Sequence, residues 1–359
     1  MIKVIFEGSI FLHQKKGGIS KYIQKINDRF IKYNVKSRIY APITISDNLD
    51  NNKKNIIYFF KLKKIPKFCT WIFYMVSSFL TVFYINILKP NILHFTFYNN
   101  FLIPYIKTPY ILTVYDLIHE KMRVKQKYFK KSELIKKARH IICISKQTKK
   151  DLIKFYKVKN KKISIIYPGV EPAIKYKNKI KKNYILFVGS RESYKNFNNF
   201  INAYSKSKYL LENFKVVCFG IEKFNNSENK LIKKLKITGQ IFFKTGNDLE
   251  LDKYYRKSSL FITTSLLEGF GLTPLEAMRC GCPVLCNDIP IFREILSSSC
   301  AYVDAKNVNN IKNKMEKILK SKIIQKKLSE KGYKRIKKFS WDKCTSETVK
   351  IYRQIASKI

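Results

Sequence analysis

Residues 260–287, LFITTSLLEGFGLTPLEAMRCGCPVLCN, contain a complete strand–helix–strand unit. The apolar run Leu260 to Thr264 predicts a buried strand, Pro274 to Cys280 predicts a helix, and Pro283 to Asn287 predicts a second strand. Strands that read as nearly continuous apolar runs, separated by a helix, are typical of parallel sheets buried on both faces. This stretch therefore predicts the α/β fold class.

The same alternation extends over the whole chain and breaks once. It begins at Lys3 to Glu7 and stops at Tyr167-Pro168-Gly169, after which a Lys- and Asn-rich stretch leads to a new strand at Tyr184. Turn residues followed by a charged stretch are typical of a domain boundary. We predict two doubly wound domains with a ligand cleft at the carboxyl ends of their strands. The predicted bounds are 1–172 for the first domain, 173–183 for a linker, 184–338 for the second domain and 339–359 for a closing helix.

The composition describes a folded and strongly basic protein. The 359 residues include 72 Lys and Arg against 25 Asp and Glu, a net charge of +47, with 45% hydrophobic residues. That hydrophobic fraction excludes a disordered basic tail. Arg, the residue preferred for bidentate phosphate and base contacts, is scarce, and the Lys residues are spread along the chain. We therefore predict no nucleic-acid partner, and an anionic membrane surface is the partner that a lysine-rich surface would suit.

The eight cysteines and the first residues indicate a reducing compartment. Most of the cysteines lie in apolar runs, where a free thiol packs as a small core residue. The opening MIKVIFEGSIF lacks the layout of a signal peptide. The trio Cys280, Cys282 and Cys286 has no nearby His and no zinc-site spacing, so no metal is predicted. The expected location is the cytoplasm, with peripheral contact to the cytoplasmic face of the inner membrane as an addition.

Residues 68–88 form an uncharged run that is long enough to span a bilayer. The run carries several Ser and Thr residues and lies inside one continuous domain, which a spanning helix would divide. We therefore predict a helix that is partly core and partly interfacial, with Trp71, Phe73 and Tyr74 as the lipid-facing aromatics.

Two loops are candidates for binding phosphate. Gly17 and Gly18 lie between the first strand and the first helix, where backbone N–H groups approach an anion, although an ordinary flexible loop explains them equally well. Arg191 and Lys195 follow the first strand of the second domain and open a helix. Because Arg is scarce in this chain, its position here favours a site in which both cations converge on a diphosphate.

Two groups of acidic residues and one His are the remaining candidates. Glu276 has a structural explanation as the capping-box acid of a helix whose N-cap is Thr273, and it is also well placed to accept hydrogen bonds from sugar hydroxyls. Glu268, in the preceding loop, has no such structural explanation. Asp116 and His119 follow a strand of the first domain, where a satisfied loop histidine is nearly as good an interpretation.

At these residues the chain resembles the family 4 (group 1) retaining glycosyltransferases of the GT-B architecture. The resemblance covers essentially the whole length, and its most specific element is the Glu-x7-Glu motif formed by Glu268 and Glu276. The supporting motifs are Arg191 and Lys195 in VGSRESYKN, the glycine loop GGISKY, Pro168-Gly169-Val170, and Phe339-Ser340-Trp341 at the start of a closing helix.

The resemblance implies two Rossmann-like domains facing across a cleft and a closing helix that packs back on the first domain. It implies transfer of a hexose from a UDP- or GDP-linked donor, with retention, to a glycan or lipid-linked acceptor in bacterial surface polysaccharide synthesis (O-antigen, lipopolysaccharide or capsule). No cofactor is implied, and the absence of a DxD triplet fits metal-independent transfer.

The resemblance also assigns roles. Glu276 would hold the ribose and Glu268 the donor sugar, and Asp116 and His119 complete the predicted catalytic set. The remaining donor-binding residues are Gly17, Gly18, Arg191, Lys195, Phe270, Gly271 and Leu272. The chain departs from the pattern at Tyr115, where many members have the His that precedes the aspartate, and His119 is the candidate to replace it. Two alternatives remain: a non-catalytic basic protein that binds nucleic acid or membrane, and a GT-B nucleotide-sugar epimerase.

Overall fold

The computed structural model describes residues 1–49, 54–124, 131–173 and 182–357. It divides into two compact units, of which the first joins Met1–Gly169 to Trp341–Ile359 and the second is Val170–Ser340. Most of the predicted linker 173–183 lies outside the described residues.

The first unit contains a seven-stranded parallel sheet and a small two-stranded one. The strands are β1 (Ile2–Glu7), β2 (Val35–Tyr40), β3 (Ile43–Thr44), β4 (Ile56–Ile57), β5 (Phe60–Lys61), β6 (Ile92–Phe95), β7 (Tyr110–Val114), β8 (His140–Cys143) and β9 (Ile163–Ile165). The large sheet has the order β4-β2-β1-β6-β7-β8-β9, and β3 pairs with β5. The helices are α1 (Ile10–His13), α2 (Gly18–Asn27), α3 (Thr70–Leu88), α4 (Ile118–Lys121), α5 (Lys131–Lys137) and α6 (Lys146–Tyr156).

The second unit repeats the scheme with a six-stranded parallel sheet of order β12-β11-β10-β13-β14-β15, in which the strands are β10 (Lys182–Val188), β11 (Lys215–Phe219), β12 (Ile241–Lys244), β13 (Ser258–Thr263), β14 (Val284–Asn287) and β15 (Ala301–Val303). Its helices are α7 (Phe197–Ser205), α8 (Lys208–Asn213), α9 (Asn226–Lys234), α10 (Asp248–Lys257), α11 (Leu272–Arg279), α12 (Pro290–Leu296), α13 (Val308–Lys320) and α14 (Lys322–Ile336). Alternate residues of β10, such as Ile185 and Phe187, belong to one core cluster with α7 and α13. The predicted α/β fold with parallel sheets is confirmed.

The last helix, α15 (Trp341–Ala356), belongs to the first unit and packs against α2, β1 and β6. Hydrogen bonds among three buried polar side chains hold α15 against the sheet. The His94 imidazole contacts the Tyr352 hydroxyl at 2.6 Å through Nδ1 and the Thr113 hydroxyl at 2.7 Å through Nε2. Burial lowers the pKa of His94 to about 3, so this imidazole is neutral at physiological pH.

Helix α3 requires a correction to the predicted lipid-facing residues. Among the described residues it is the helix long and apolar enough to cross a membrane. Trp71 is half-exposed, but Tyr74 is buried and donates a hydrogen bond from its hydroxyl to the Ser9 carbonyl at 3.3 Å. Phe73 is partly buried and packs against the same small cluster as Tyr74. Tyr74 therefore faces the domain, because its hydroxyl finds an acceptor there.

Candidate active site

Two loops at one edge of the second sheet are tied together. Strands β10 and β13 are parallel neighbours, so their carboxyl ends lie at the same edge. The Leu266 N–H donates to the Tyr194 carbonyl at 2.7 Å, and the Thr264 hydroxyl donates to the Lys195 carbonyl at 2.9 Å. Backbone contacts therefore fix the loop that carries Lys195 against the loop that carries Glu268.

Lys195 and Glu268 form an ion pair across these loops. The Lys195 ammonium donates to Glu268 Oε1 at 2.7 Å, and the two side chains are 20% and 17% exposed. Burial is the largest single influence and would lower the pKa of Lys195, but the Glu268 carboxylate, together with Tyr194 and Glu192, outweighs it and the pKa is raised. The structure thus brings together two of the predicted site residues, both charged and both partly open to solvent.

Helix α11 begins two residues earlier than predicted, and this changes the interpretation of Glu276. Its N-cap is Gly271, with φ of 102°, and no side chain caps the helix. A Cβ at Gly271 would lie 2.9 Å from the Phe292 ring, so both the backbone and the packing require glycine. The predicted capping box of Thr273 and Glu276 is therefore wrong. Instead, the Tyr255 hydroxyl donates to Glu276 Oε2 at 3.4 Å.

The start of α11 presents backbone donors next to this ion pair in the sequence. The first N–H groups of a helix have no acceptor inside it, and Leu272 and Thr273 supply two of them here. Phe270, which precedes the helix, is buried and packs edge-to-face on Phe339 at 5.7 Å. The Phe270 ring thus anchors the loop, while Leu272 lies at the helix start, where the dipole favours an anion.

Arg191 is bound inside the second unit. Its guanidinium donates to Glu228 Oε1 at 2.8 Å and to the carbonyls of Glu222 and Lys223, and it stacks over the Phe224 ring at 4.9 Å. The Arg191 and Glu228 side chains are only 5% and 6% exposed. The two cations predicted to converge therefore pair with different carboxylates. A role for Arg191 in binding diphosphate stays a prediction.

In the first unit, the glycine pair lies at the start of a helix. Gly17 is the N-cap of α2, and Gly18 is its first residue. The side-chain amide oxygen of Gln14 accepts a hydrogen bond from the Ser20 N–H at 3.4 Å. An acceptor from the protein itself therefore occupies the position where the dipole of α2 favours negative charge.

Asp116 and His119 lie at the carboxyl end of β7. The Asp116 carboxylate is half-buried and accepts a hydrogen bond from the Ile118 N–H at 3.1 Å, which supports the start of α4. His119 is exposed on α4. Tyr115 is buried and packs edge-to-face on Tyr22 at 5.5 Å. Asp116 thus has a local structural role in this unit, and the catalytic roles of Asp116 and His119 stay predictions.

Two residues of this region were not anticipated. Glu228, the partner of Arg191, is also the acid of a capping box with Asn225. The spacing Asn225-x-x-Glu228 signals that cap in the sequence but not the ion pair, and no sequence signal points to Tyr255 as the partner of Glu276. Over the residues that the structure describes, no group of three or more His, Cys, Asp or Glu is arranged to hold a metal ion.

Two family models and several curated proteins match this chain. The family described as "Glycosyl transferases group 1" matches residues 170–335, and "Glycosyltransferase Family 4" matches residues 16–174. An uncharacterized glycosyltransferase of Methanocaldococcus jannaschii is 30% identical over 255 residues, 70% of each chain. An O-antigen chain mannosyltransferase of Salmonella typhimurium is 32% identical over 174 residues, 47% of this chain and 48% of that protein.

The fold is also that of a solved glycosyltransferase. A sucrose-phosphate synthase from Thermosynechococcus elongatus superposes with a TM-score of 0.81 at 15% identity and covers 99% of both chains. At that identity the likeness concerns the fold alone, and that fold is the GT-B arrangement of two Rossmann-like domains. The family matches, the 30% identical relative and the fold agree: this chain belongs to the group 1, family 4 glycosyltransferases.

Proposed function

We propose that the protein is a retaining, metal-independent hexosyltransferase that uses a UDP- or GDP-linked donor and a glycan or lipid-linked acceptor in O-antigen or related surface polysaccharide synthesis. Two of its relatives are O-antigen mannosyltransferases, which makes mannose the first sugar to test. The alignments span 48% and 46% of those two proteins, so the identities of the sugar and of the acceptor are part of the proposal and need the tests below.

The observation that carries the proposal is the partly exposed ion pair between Lys195 and Glu268. Glu268 lies in the loop that enters α11. A diphosphate leaving group needs positive charge, which Lys195 supplies, and backbone N–H groups at Leu272 add to it without reorganisation. When the diphosphate takes over Lys195, the Glu268 carboxylate becomes available to accept hydrogen bonds from the hydroxyls of the donor sugar.

The remaining roles follow the family pattern. Glu276, held by Tyr255 rather than by its own helix, would accept hydrogen bonds from the ribose hydroxyls. The Gly17–Gly18 turn would add N–H donors to the diphosphate once the Gln14 amide leaves the start of α2. We assign Asp116 and His119 to the acceptor side, with His119 in place of the His that Tyr115 replaces.

We place the reaction in the cytoplasm. All eight cysteines are free, and seven of them are buried. Buried free thiols are the usual state of cysteines in a reducing compartment. A fractionation experiment tests this placement: activity recovered with periplasmic rather than cytoplasmic and inner-membrane fractions contradicts it.

The substitution Glu268→Ala tests the proposed function. Loss of a carboxylate that binds the transferred sugar should lower the transfer rate by about 100- to 1000-fold. Transfer from GDP-mannose and from UDP-hexoses is measured by product chromatography, and the anomeric configuration of the product by NMR. The matched control is Glu212→Ala, an exposed carboxylate of the same unit. Full activity of Glu268→Ala with the true donor, or an inverted product, overturns the corresponding part of the proposal.

A companion binding measurement separates this function from the alternatives. UDP or GDP should raise the melting temperature of the native protein, because a ligand that binds only the folded state stabilises it. A protein stabilised by neither nucleotide, but bound tightly and salt-dependently by oligonucleotides, would be a basic binding protein instead.

A further inference from the structure

Helix α3 is packed with its polar side inward. The face turned toward the first unit consists of Tyr74, Ser77, Ser78, Thr81 and Ile85, all buried. Four of these five residues carry a hydroxyl group. In a helix at the surface of a water-soluble protein the opposite arrangement is expected, with apolar residues facing the core and polar residues facing solvent.

The opposite side of the helix, which we call the outer face, is apolar and exposed. Its residues recur at intervals of three and four and therefore share one side of the helix. They are Ile72, Met75, Phe79, Phe83 and Ile87. Phe79 is 74% exposed and Phe83 is 62% exposed, and residues 68–88 contain no charged side chain. A continuous exposed apolar surface of this kind marks an interaction site.

The buried contacts keep α3 in the domain. The Asn99 amide donates to the Ser78 hydroxyl at 2.9 Å, and the Arg38 guanidinium donates to the Tyr84 hydroxyl at 3.1 Å. The Tyr84 ring also stacks on Tyr40 with centroids 3.9 Å apart. A helix that crossed a bilayer would have to break these bonds and leave polar partners behind. The helix is therefore long enough to span a membrane but is built to lie along a surface.

The charges around the outer face indicate the kind of surface to which it binds. Exposed lysines lie on both sides of the outer face in sequence, with Lys61, Lys63 and Lys64 before it and Lys89 after it. The whole chain carries a net charge of +47, so a second copy docked face to face would add strong repulsion. An anionic lipid surface satisfies both features, since it attracts lysines and accepts apolar side chains at the boundary of headgroups and acyl chains.

We propose that the outer face of α3 docks the protein on an anionic phospholipid bilayer, with the helix lying in the plane of the interface. Over about 30 Å of helix, the apolar side chains enter the upper acyl region while the hydroxyl-bearing face stays packed in the protein. This inference is independent of the proposed transfer reaction, because it rests on a different element and is measured without substrate.

Vesicle flotation tests the docking. The native protein should bind vesicles of phosphatidylcholine and phosphatidylglycerol more tightly than vesicles of phosphatidylcholine alone. The double substitution Phe79→Ser/Phe83→Ser should weaken binding to the anionic vesicles by about 100-fold. Each Phe side chain that enters the bilayer contributes roughly a factor of ten or more to the affinity. Because both side chains point away from the core, circular dichroism should show an unchanged fold.

A matched pair of single substitutions separates the outer face from general hydrophobicity. Ile87→Ser removes an outer-face side chain that is 61% exposed, and Ile31→Ser removes one of the same kind that is 82% exposed elsewhere in the first unit. We expect weaker vesicle binding for Ile87→Ser and native binding for Ile31→Ser. Equal effects of the two substitutions, or native binding by the double variant, overturn the proposal.

The fluorescence of Trp71 can report whether α3 inserts into the bilayer. It has two tryptophans, of which Trp71 is half-exposed on α3 and Trp341 is buried. In a Trp341→Phe background, anionic vesicles should shift the emission of Trp71 to the blue, and brominated acyl chains should quench it. Binding without quenching would mean adsorption through lysines alone. A concentration-dependent dimer that dissociates in the double variant, with no vesicle binding, would identify a second copy as the occupant. Both results contradict the proposal.

Discussion

The loop after β10 carries the cations of two ion pairs, and the two pairs differ in their surroundings. Arg191 and Glu228 are nearly inaccessible to solvent, and backbone carbonyls and the Phe224 ring complete the contacts of the guanidinium. Lys195 follows β10 and Glu268 follows β13, two neighbouring strands that end at one sheet edge, and both side chains remain partly exposed. The first pair is built into the packing of the unit. The second can exchange its partner for a ligand.

Because of this difference, we expect substitutions in the two pairs to affect different measurements. A buried pair that loses one partner leaves an uncompensated charge, so the free energy of unfolding should fall. The Lys195–Glu268 pair is more exposed, so solvent screens it in part and can replace some of its hydrogen bonds, and its loss should cost less stability. Its loss should appear mainly in binding and catalysis.

The largest expected effect on stability is that of Glu228→Gln. The amide can still cap α9 through its oxygen, but it leaves the Arg191 guanidinium buried without a carboxylate. We expect the free energy of unfolding to fall by about 3–5 kcal/mol, measured by urea denaturation followed by circular dichroism. Glu212→Gln, at an exposed position, is the control and should be neutral. A Glu228→Gln protein as stable as the native one would mean that this pair is not structural.

The complementary substitution is Lys195→Met, which keeps the length of the side chain and removes its charge. We expect the transfer rate to fall by about 100- to 1000-fold and the stabilisation by UDP or GDP to disappear. The free energy of unfolding should fall by less than it does in Glu228→Gln, because the Lys195–Glu268 pair is more exposed than the Arg191–Glu228 pair. Lys206→Met, at an exposed position after α7, serves as the control. Native nucleotide binding by Lys195→Met would contradict the distinction between the two pairs.

The sequence predicted the strands of this region because their apolar runs are long and bounded by turn residues. The predicted strand at Lys3 to Glu7, for example, lies within β1 (Ile2–Glu7). The two-residue strands Ile43–Thr44 and Ile56–Ile57 escaped prediction because they are too short to carry a period. The start of α11 was misplaced because a left-handed Gly271 caps a helix through its backbone, a feature that Thr273 and Pro274 concealed.

The candidate site was less predictable than the fold because it depends on which distant residues meet. Glu268 and Lys195 were identified separately, yet nothing local shows that they form a pair across 73 positions. Likewise, the scarcity of Arg drew attention to Arg191 but gave no indication of Glu228. For α3, both sides of the helix are uncharged, so periodicity did not reveal that the hydroxyl-bearing side is the buried one.

Glu7, at the end of β1, is a buried carboxylate whose hydrogen-bond donors are all neutral groups, and it can be compared with the two ion pairs. It accepts bonds from the Ser9 N–H at 3.0 Å, the Ser9 hydroxyl at 2.7 Å and the Asn99 amide at 3.2 Å. Burial raises the pKa of Glu7 from 4.5 to about 7, and these hydrogen bonds offset only part of that rise. Neutral donors thus do not replace the cation that the two ion pairs supply.

This raised pKa predicts that the stability of the protein depends on pH, and it fixes the sign of that dependence. Between pH 4.5 and pH 7 the folded state holds a proton that the unfolded chain has lost, so the free energy of unfolding falls as the pH rises through this window. The contribution is complete below pH 4.5, and up to about 3 kcal/mol is lost above pH 7. Urea denaturation of the native protein and of Glu7→Gln at pH 5 and pH 8 measures it, since other titrating groups contribute equally to both. We expect native stability to decline relative to Glu7→Gln across the window, and parallel pH profiles would show that Glu7 titrates as an ordinary carboxylate.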